Sequence, residues 1–96
     1  MRPDLGTPIL DRLQSLADAT RCRLLLVLER HELSVTDLCG ALQLPQSTVS
    51  RHLKTLSDEG WVVSRADGAS RYYRMPGQDL DPAARRLWQL VKEQVA

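Results

Sequence analysis

Two helical patterns separated by a break of about three residues constrain the fold of this chain most. Apolar side chains recur at helical spacing over residues 35–42 and again in the segment that runs from residue 46 to Gly60. We expect Pro45 at the first position of the second helix, where its missing N–H would have no intrahelical partner, and Gly60 as the left-handed stop. Two helices joined this closely predict a helix-turn-helix.

A β-hairpin is predicted directly after Gly60. Residues 61–65 and 70–75 are rich in β-branched and aromatic side chains, and Asp67-Gly68 between them supplies the torsions of a tight turn. Further along the chain, Asp81 and Pro82 have the residue types of a helix cap and of a first helical position. A last helix is therefore expected after the hairpin.

Two further helices are predicted before the helix-turn-helix. The first begins near Ile9, and the second, capped by Asp18 or Thr20, is apolar on every side over residues 24–28, which is typical of a buried helix. Residues 1–8 contain two prolines and a glycine and predict a flexible arm. The order α1-α2-α3-α4-β-β-α5 predicts a mainly α fold with a small β-hairpin, a single winged helix-turn-helix domain over residues 9–96.

The second helix of the helix-turn-helix carries the candidate functional groups. Because Val49, Leu53 and Leu56 form its buried stripe, its amide, hydroxyl and basic groups face outward. Such groups read base edges in the major groove of B-DNA, while arginines on the hairpin suit phosphates. The predicted DNA-contacting residues are Gln46, Ser47, Thr48, Ser50, Arg51, His52, Lys54, Arg65, Arg71 and Tyr73.

The distribution of charge supports this interpretation. The net charge is only +1, but residues 46–74 carry five Lys or Arg against three acidic residues. The alternative is an ordinary solvated helix surface. Four Ser or Thr residues between positions 47 and 55 weigh against it, because they are poor helix formers and bring no evident stability. Sequence-specific DNA binding is the function we expect.

Several stretches resemble the ArsR/SmtB family of winged-helix repressors. They are residues 16–21 (LADATR), residues 38–44, the run STVSRHL at 47–53 and the paired tyrosines 72 and 73. The resemblance implies a homodimer that binds an inverted-repeat operator, represses transcription and is released by an inducer. It also implies that the first and last helices form the dimer interface, which we assign to Ile9, Leu10, Leu13, Leu87, Trp88 and Val91.

The stretch Ser34-Val35-Thr36 departs from the family pattern. Arsenic-sensing members carry Cys-Val-Cys here, and hydroxyls do not replace the soft thiolates that As(III) needs. Ser34 and Asp37 instead have the spacing of a capping box. The last helix contains no His for the zinc or nickel sites of other members. We therefore expect no metal and no cofactor, and the inducer stays unknown.

The two histidines and the two cysteines give weaker indications of function. His31 beside Glu32 is typical of a solvated turn, and His52 is expected to be structural or to contact DNA, with metal ligation as the lesser alternative for both. Cys22 and Cys39 are expected to be free, buried thiols, although a redox switch stays an alternative.

An enzyme is not expected. Ser50 and His52 project to different sides of one helix and cannot form a nucleophile–base pair, and no phosphate-binding loop or paired carboxylates are present. Two alternatives stay open: a DNA-binding and dimerisation module of a longer protein with a methyltransferase-like C-terminal domain, or a winged helix that binds protein. No bilayer-spanning run and no signal-peptide pattern occur, which predicts a cytoplasmic protein.

Overall fold

The computed structural model describes residues 7–95, which form five helices and a small sheet. The helices are α1 (Thr7–Leu16), α2 (Ala19–Leu28), α3 (Val35–Leu42), α4 (Gln46–Asp58) and α5 (Pro82–Val95). The strands are β1 (Leu33–Ser34), β2 (Val63–Asp67) and β3 (Ser70–Arg74), and a 3-10 helix covers Gly77–Asp79. This architecture confirms the predicted winged helix-turn-helix of mainly α class.

The first helix begins earlier than its apolar pattern indicated. Thr7 and Pro8 already belong to α1, so the predicted arm does not extend to residue 8. Proline is tolerated in the first turn of a helix, because the N–H groups there have no intrahelical acceptor. The remainder of the predicted arm, residues 1–6, lies outside the described residues.

The second helix lies at the centre of the core, as predicted. Leu24 and Leu25 of α2 are fully buried and lie in one apolar cluster with Val49, Leu53 and Leu56 of α4. Burying each of these side chains contributes roughly 1.5–3 kcal/mol. Within residues 7–95 no helix, α2 included, is long and apolar enough to cross a membrane.

Side-chain caps begin three of the helices. The Asp18 carboxylate accepts the Arg21 N–H at the start of α2, and Asp81 accepts two backbone N–H groups at the start of α5. At α3, the Ser34 hydroxyl accepts the Asp37 N–H at 3.1 Å and the Asp37 carboxylate accepts the Ser34 N–H at 3.3 Å. The predicted capping box is confirmed, so the Ser34 hydroxyl has a structural partner.

The turn between α3 and α4 is made by a left-handed residue and a proline. Gln43 caps the C-terminus of α3 with a φ of +56°, a left-handed backbone conformation that few residues other than glycine adopt. Pro45 was expected inside α4 but lies one position before it, in extended conformation, and α4 begins at Gln46. The prediction was wrong by one residue because proline suits both positions.

The sheet has three strands rather than two. The two-residue strand β1 pairs with β3, which gives the antiparallel order β1-β3-β2. The hairpin strands also shift from their predicted bounds, since Trp61 and Val62 are buried in the core before β2 begins. Gly68 and Ala69 form the turn, and Asp67 pairs with Ser70 inside the ladder. Gly68 has φ of +62°, as the first central residue of a type II′ turn requires.

Candidate nucleic-acid interface

The outer face of α4 presents the predicted polar side chains to solvent. Val49, Leu53 and Leu56 are at most 1% exposed, which confirms the predicted inner stripe. The opposite side of α4 is correspondingly open. Its exposed members are Gln46, Ser47, Ser50, Arg51 and Lys54, and Thr48 is half-buried.

The two basic residues of this face differ in their surroundings. Lys54 donates to Asp58 one turn later at 3.1 Å, and both side chains are well exposed. Among the described residues, no carboxylate lies within ion-pair distance of Arg51. Arg51 is therefore the residue of this face whose charge is least compensated, and a guanidinium is the side chain best suited to guanine.

The N-terminus of α4 lacks a side-chain cap. Pro45 occupies the cap position and makes no side-chain hydrogen bond to the first turn. The free N–H groups beside Gln46 and Ser47 and the positive end of the helix dipole together favour an anion. A phosphate group at this end of α4 would be bound by the backbone rather than by a side chain.

A groove of about 240 Å³ joins the start of α4 to the tip of the hairpin. Gln46 of α4 and Arg71 of the hairpin both line this groove. Arg71 is exposed and donates to the Ser64 hydroxyl at 2.9 Å, and no described carboxylate pairs with it. The fold thus brings the recognition helix and the wing tip to one continuous surface.

Arg65 has a different environment, one rung further from the turn than Arg71, in the part of the hairpin (residues 63–65 and 72–74) that we call the wing base. Its guanidinium makes three hydrogen bonds of 2.8–3.1 Å to the Glu32 carboxylate and lies 3.6 Å from Asp67. It also stacks over the ring of Tyr72 at 5.1 Å. The hydrogen bonds from Arg65 lower the pKa of Glu32, and the same contact raises the pKa of Arg65. Carboxylates already compensate this predicted phosphate contact within the protomer.

His52 was predicted among the DNA contacts, and the structure corrects this. Its side chain is buried, with the whole residue 8% exposed, so it cannot reach a base edge. Its Nδ1 lies 3.2 Å from a guanidinium nitrogen of Arg21, and its Nε2 lies 4.0 Å from the Asp18 carboxylate. Burial lowers the pKa of His52, an effect that Asp18 partly offsets and that Arg21 and Arg51 reinforce.

Tyr73 was also predicted to contact DNA; its side chain is half-buried and packs partly against the core. It pairs with Leu33 of β1 and Ser64 of β2 in the middle of the sheet. Successive strand residues face opposite sides, so the neighbouring Tyr72 lies on the side of Arg65. Of the two hairpin tyrosines, Tyr72 is therefore the one that stacks with an arginine, Arg65.

Trp88 was assigned to the dimer interface, but it is a core residue that is 1% exposed. Its indole N–H donates to Glu29 at 3.0 Å, and Lys92 donates to the same carboxylate oxygen at 2.8 Å. These contacts attach α5 to the end of α2. The apolar side chains of α5 recur at helical spacing in one stripe, of which Ala84 and Trp88 are covered by the protomer's own core and Val95 is exposed; its members are Ala84, Leu87, Trp88, Val91 and Val95.

An apolar surface nevertheless remains on the first and last helices. Ile9, Leu10 and Leu13 of α1 are 41%, 54% and 44% exposed, and Leu90 of α5 is 64% exposed. The other two predicted interface residues, Leu87 and Val91, are half-buried and pack partly on the core. Leu90 was not predicted, because it lies outside the stripe that the spacing selected.

The sulfur and metal chemistry of the described residues is modest. Both cysteines are free, and Cys22 is buried with its thiol donating to the Leu16 carbonyl at 3.2 Å. Burial raises the pKa of the Cys22 thiol, which disfavours the reactive thiolate. Over residues 7–95 no group of three or more His, Cys, Asp or Glu side chains could hold a metal ion.

Arg21 and Glu32 are the functional candidates that the sequence did not reveal. Arg21 contacts a histidine 31 positions away, and Glu32 contacts an arginine 33 positions away. Neither spacing belongs to a local motif. Only the three-dimensional arrangement could identify these partners.

The chain resembles bacterial regulatory proteins along most of its length. Residues 18–64 match the family described as bacterial regulatory protein, arsR family. The arsenic resistance transcriptional regulator ArsR1 of Pseudomonas putida is 42% identical over 78% of this chain, which spans only 58% of that relative. The arsenical resistance operon repressor of Staphylococcus aureus is 35% identical over 78% of this chain and 72% of its own length.

A solved structure supports the same assignment. It is the solution structure of the homodimeric winged helix-turn-helix DNA-binding domain of a possible ArsR-family transcriptional regulator from Mycobacterium bovis. The two chains align over 98% of this chain and 87% of the other, with a TM-score of 0.74 and 28% identity. Sequence and fold therefore point to one family.

Proposed function

This chain belongs to the arsR family of bacterial regulatory proteins, and from that premise we propose that it is a sequence-specific, DNA-binding transcriptional regulator. It acts in the cytoplasm as a homodimeric repressor on an inverted-repeat operator and leaves that operator when an inducer binds. Its relatives are named for regulation of transcription, and none of the site geometry resembles a nucleophile–base arrangement.

One observation carries the proposal: the outer face of α4 is polar and open while its inner face is anchored. Ser50 and Arg51 are exposed, whereas Val49 beside them is fully buried. A helix held in this way enters the major groove with its polar side chains directed at base edges. Arg51 and Gln46 would read guanine and adenine, and the hydroxyls of Ser47 and Ser50 are adaptable.

Backbone contacts would come from the two ends of the groove. The uncapped N-terminus of α4 suits one phosphate, and Arg71 at the wing tip suits another. Lys54 would contribute a third, after releasing Asp58. These contacts hold α4 in its register on the duplex without specifying sequence.

Dimerisation would use the exposed apolar residues of α1 and α5. Ile9, Leu10, Leu13 and Leu90 form its centre, with Leu87 and Val91 at their buried side. A two-fold axis places two copies of α4 about 34–36 Å apart, one in each of two successive major grooves. The M. bovis neighbour is described as homodimeric, which supports this part of the proposal.

The inducer differs from the one that the names of the relatives suggest. Both relatives are named for arsenic resistance, and As(III) requires thiolates. In this chain the Ser34 hydroxyl belongs to a capping box, and Thr36, which lines the groove beside α4, offers a hydroxyl instead of a thiolate. Whatever the inducer is, it must bind better to a dimer whose α4 helices are spaced wrongly for DNA.

Footprinting on the DNA upstream of the protein's own coding region tests this function. We expect a protected inverted repeat whose half-sites are separated by about one helical turn. Repeating the experiment with zinc, arsenite, an oxidant and S-adenosyl compounds screens for release. Failure to protect any sequence, together with binding of random DNA no tighter than about 10⁻⁴ M at physiological salt, would leave a protein-binding winged helix as the better explanation.

A further inference from the structure

Arg21 connects three helices at the corner where α1 ends and α2 begins. Its Nε donates to the Ser15 carbonyl at 2.5 Å and one of its terminal nitrogens donates to the Gln14 carbonyl at 3.2 Å. The other terminal nitrogen lies 3.2 Å from Nδ1 of His52 in α4. A single half-buried side chain therefore satisfies the last carbonyls of α1 and contacts the recognition helix.

The contact with Arg21 determines the state of the His52 ring. A guanidinium has only donors, so the Nδ1 that faces it must be an unprotonated acceptor. This geometry favours a neutral ring with its proton on Nε2, the nitrogen that lies 4.0 Å from the Asp18 carboxylate. A doubly protonated ring would offer Arg21 a second donor and a like charge.

His52 is also a buried neighbour of the side chains of α4 that would contact bases. It follows Arg51 directly, and its side chain is 10% exposed while Arg51 is open to solvent. A change in its distance to Arg21 would rotate or shift the turn of α4 that carries Ser50 and Arg51. Displacements of about 1 Å are enough to weaken directional contacts.

We propose that Arg21 and His52 are positioning residues that hold α4 in the orientation needed to read bases, and that they do so only while the His52 ring is neutral. This inference rests on the proposed DNA-binding function. Neither residue touches DNA; both act through the placement of their neighbours. Operator recognition should then be lost in mild acid while the fold is retained.

Three charged groups among the described residues act on His52: Asp18 and Arg21 from the α2 side and Arg51 from its own helix. Burial and the two arginines lower its pKa below 6.5, and Asp18 opposes them. Because the folded value lies below the unfolded one, the contribution of neutral His52 is complete above pH 6.5 and is lost as pH falls through the folded pKa. The carboxylates with resolved shifts, Asp18, Glu29, Glu32 and Asp81, all have lowered pKa values and stay ionised in this window.

The first test uses the wild-type protein without DNA. Nitrogen-15 NMR of the His52 ring at pH 7.5 should show Nδ1 unprotonated and Nε2 protonated. A ring with its proton on Nδ1, or a doubly protonated ring at that pH, would overturn the inference whatever the protein binds. Because no substitution is made, this result does not depend on whether a variant folds.

The second test measures preference for a specific duplex against pH. A duplex enriched by the wild type from a random pool at pH 7.5 is compared with a scrambled duplex of the same composition. We expect the ratio of the two affinities to fall as pH drops from 7.5 to 5.5, by less than about tenfold at pH 5.5 because the pKa of His52 is lowered from 6.5. Binding to the scrambled duplex should hold or rise, because added positive charge favours any DNA.

Variants separate positioning from general stability. In His52→Asn the amide oxygen replaces the acceptor at Nδ1 but does not titrate, so the preference should become independent of pH. Arg21→Lys should lower the preference at every pH, whereas Arg23→Lys, on the exposed side of the same helix, should not. A His52→Asn protein as acid-sensitive as the wild type, or a wild type with constant preference, would overturn the inference alone. A wild type that enriches no sequence would overturn the proposed function as well.

Discussion

The outer face of α4 and the base of the wing carry similar side chains but differ in what those side chains already contact. Arg51 on α4 has no carboxylate within ion-pair distance among the described residues. Arg65 at the wing base is held by Glu32 through three hydrogen bonds. A basic residue contributes to DNA binding through the charge it has left, so the two arginines should not be equivalent.

The wing itself repeats this contrast over a few residues. Arg71 lies near the tip and has only the neutral Ser64 hydroxyl as a partner among the described side chains. Arg65 and Arg74 lie further from the turn; Glu32 compensates both of them, and Asp67 beside the turn also pairs with Arg65. We therefore expect a division of roles in which α4 reads bases, the wing tip contacts phosphate, and the wing base contacts neither.

The largest effect on DNA binding should come from breaking the dimer, because each protomer supplies one α4 and one wing. Leu90→Glu places a charge on the exposed apolar surface of α5, and the affinity for a two-half-site duplex should fall by on the order of 100-fold as avidity is lost. Sedimentation should show monomers. Gln89→Glu, the exposed neighbour on the same helix, is the matched control and should stay dimeric. A Leu90→Glu protein that stays dimeric would show that the dimer interface does not include Leu90.

Removal of Arg51 should have the next largest effect, and it should act on specificity. Arg51→Ala is expected to lose about 1–3 kcal/mol of discrimination between operator and random DNA, since a good base contact is worth that much. Competition binding with both duplexes measures the ratio. Lys54→Ala is the control from the same face, because Lys54 is paired with Asp58 and lies where phosphate is expected. Unchanged operator preference in Arg51→Ala would show that Arg51 does not contact bases.

The two wing arginines should respond differently to substitution. Arg71→Ala should weaken operator and random DNA alike and reduce the salt slope by about 1, the value for one lost phosphate contact. Arg65→Ala should leave that slope unchanged. Titrations at several salt concentrations decide the matter, and equal losses in both variants would show that the ion pair with Glu32 opens on DNA.

The smallest effect is expected from Glu32→Gln, and its sign is the informative part. Removal of the carboxylate frees Arg65 and Arg74, so binding to every duplex should strengthen by a few-fold and the salt slope should steepen by about 1 or 2. Glu93→Gln, an exposed carboxylate of α5 that makes no ion pair with another described residue, controls for the loss of one negative charge. Weaker binding by Glu32→Gln would mean that Glu32 orders Arg65 for DNA instead of competing with it.

Local spacing was sufficient to predict the frame of this molecule. The inner stripe of α4, the capping box at Ser34 and the caps at Asp18 and Asp81 all involve residues no more than four positions apart along a helix. Turns and caps of this kind are determined by neighbouring residues. The surface opposite a buried stripe follows from helix geometry alone, which is why five members of the α4 set are exposed as expected.

Contacts distant in sequence were not predictable in the same way. The stripe of α5 indicated that Trp88 would be covered, but periodicity cannot tell whether the cover comes from the same chain or from a partner. His52 was predicted to lie at the side of α4, because its partner Arg21 is 31 positions away and no local pattern indicates that contact. The strand β1 is two residues long, too short for any alternating pattern.

The most direct measurement of the central claim follows the side-chain Nε–H signals of three arginines during titration with DNA. Equal amounts of the enriched duplex and of a scrambled duplex are added to separate samples of isotope-labelled protein. The Arg51 signal should differ between the two duplexes, the Arg71 signal should shift equally with both, and the Arg65 signal should shift with neither. An Arg51 signal that does not distinguish the duplexes, or an Arg65 signal that moves as much as that of Arg71, would contradict the division of roles between α4 and the wing.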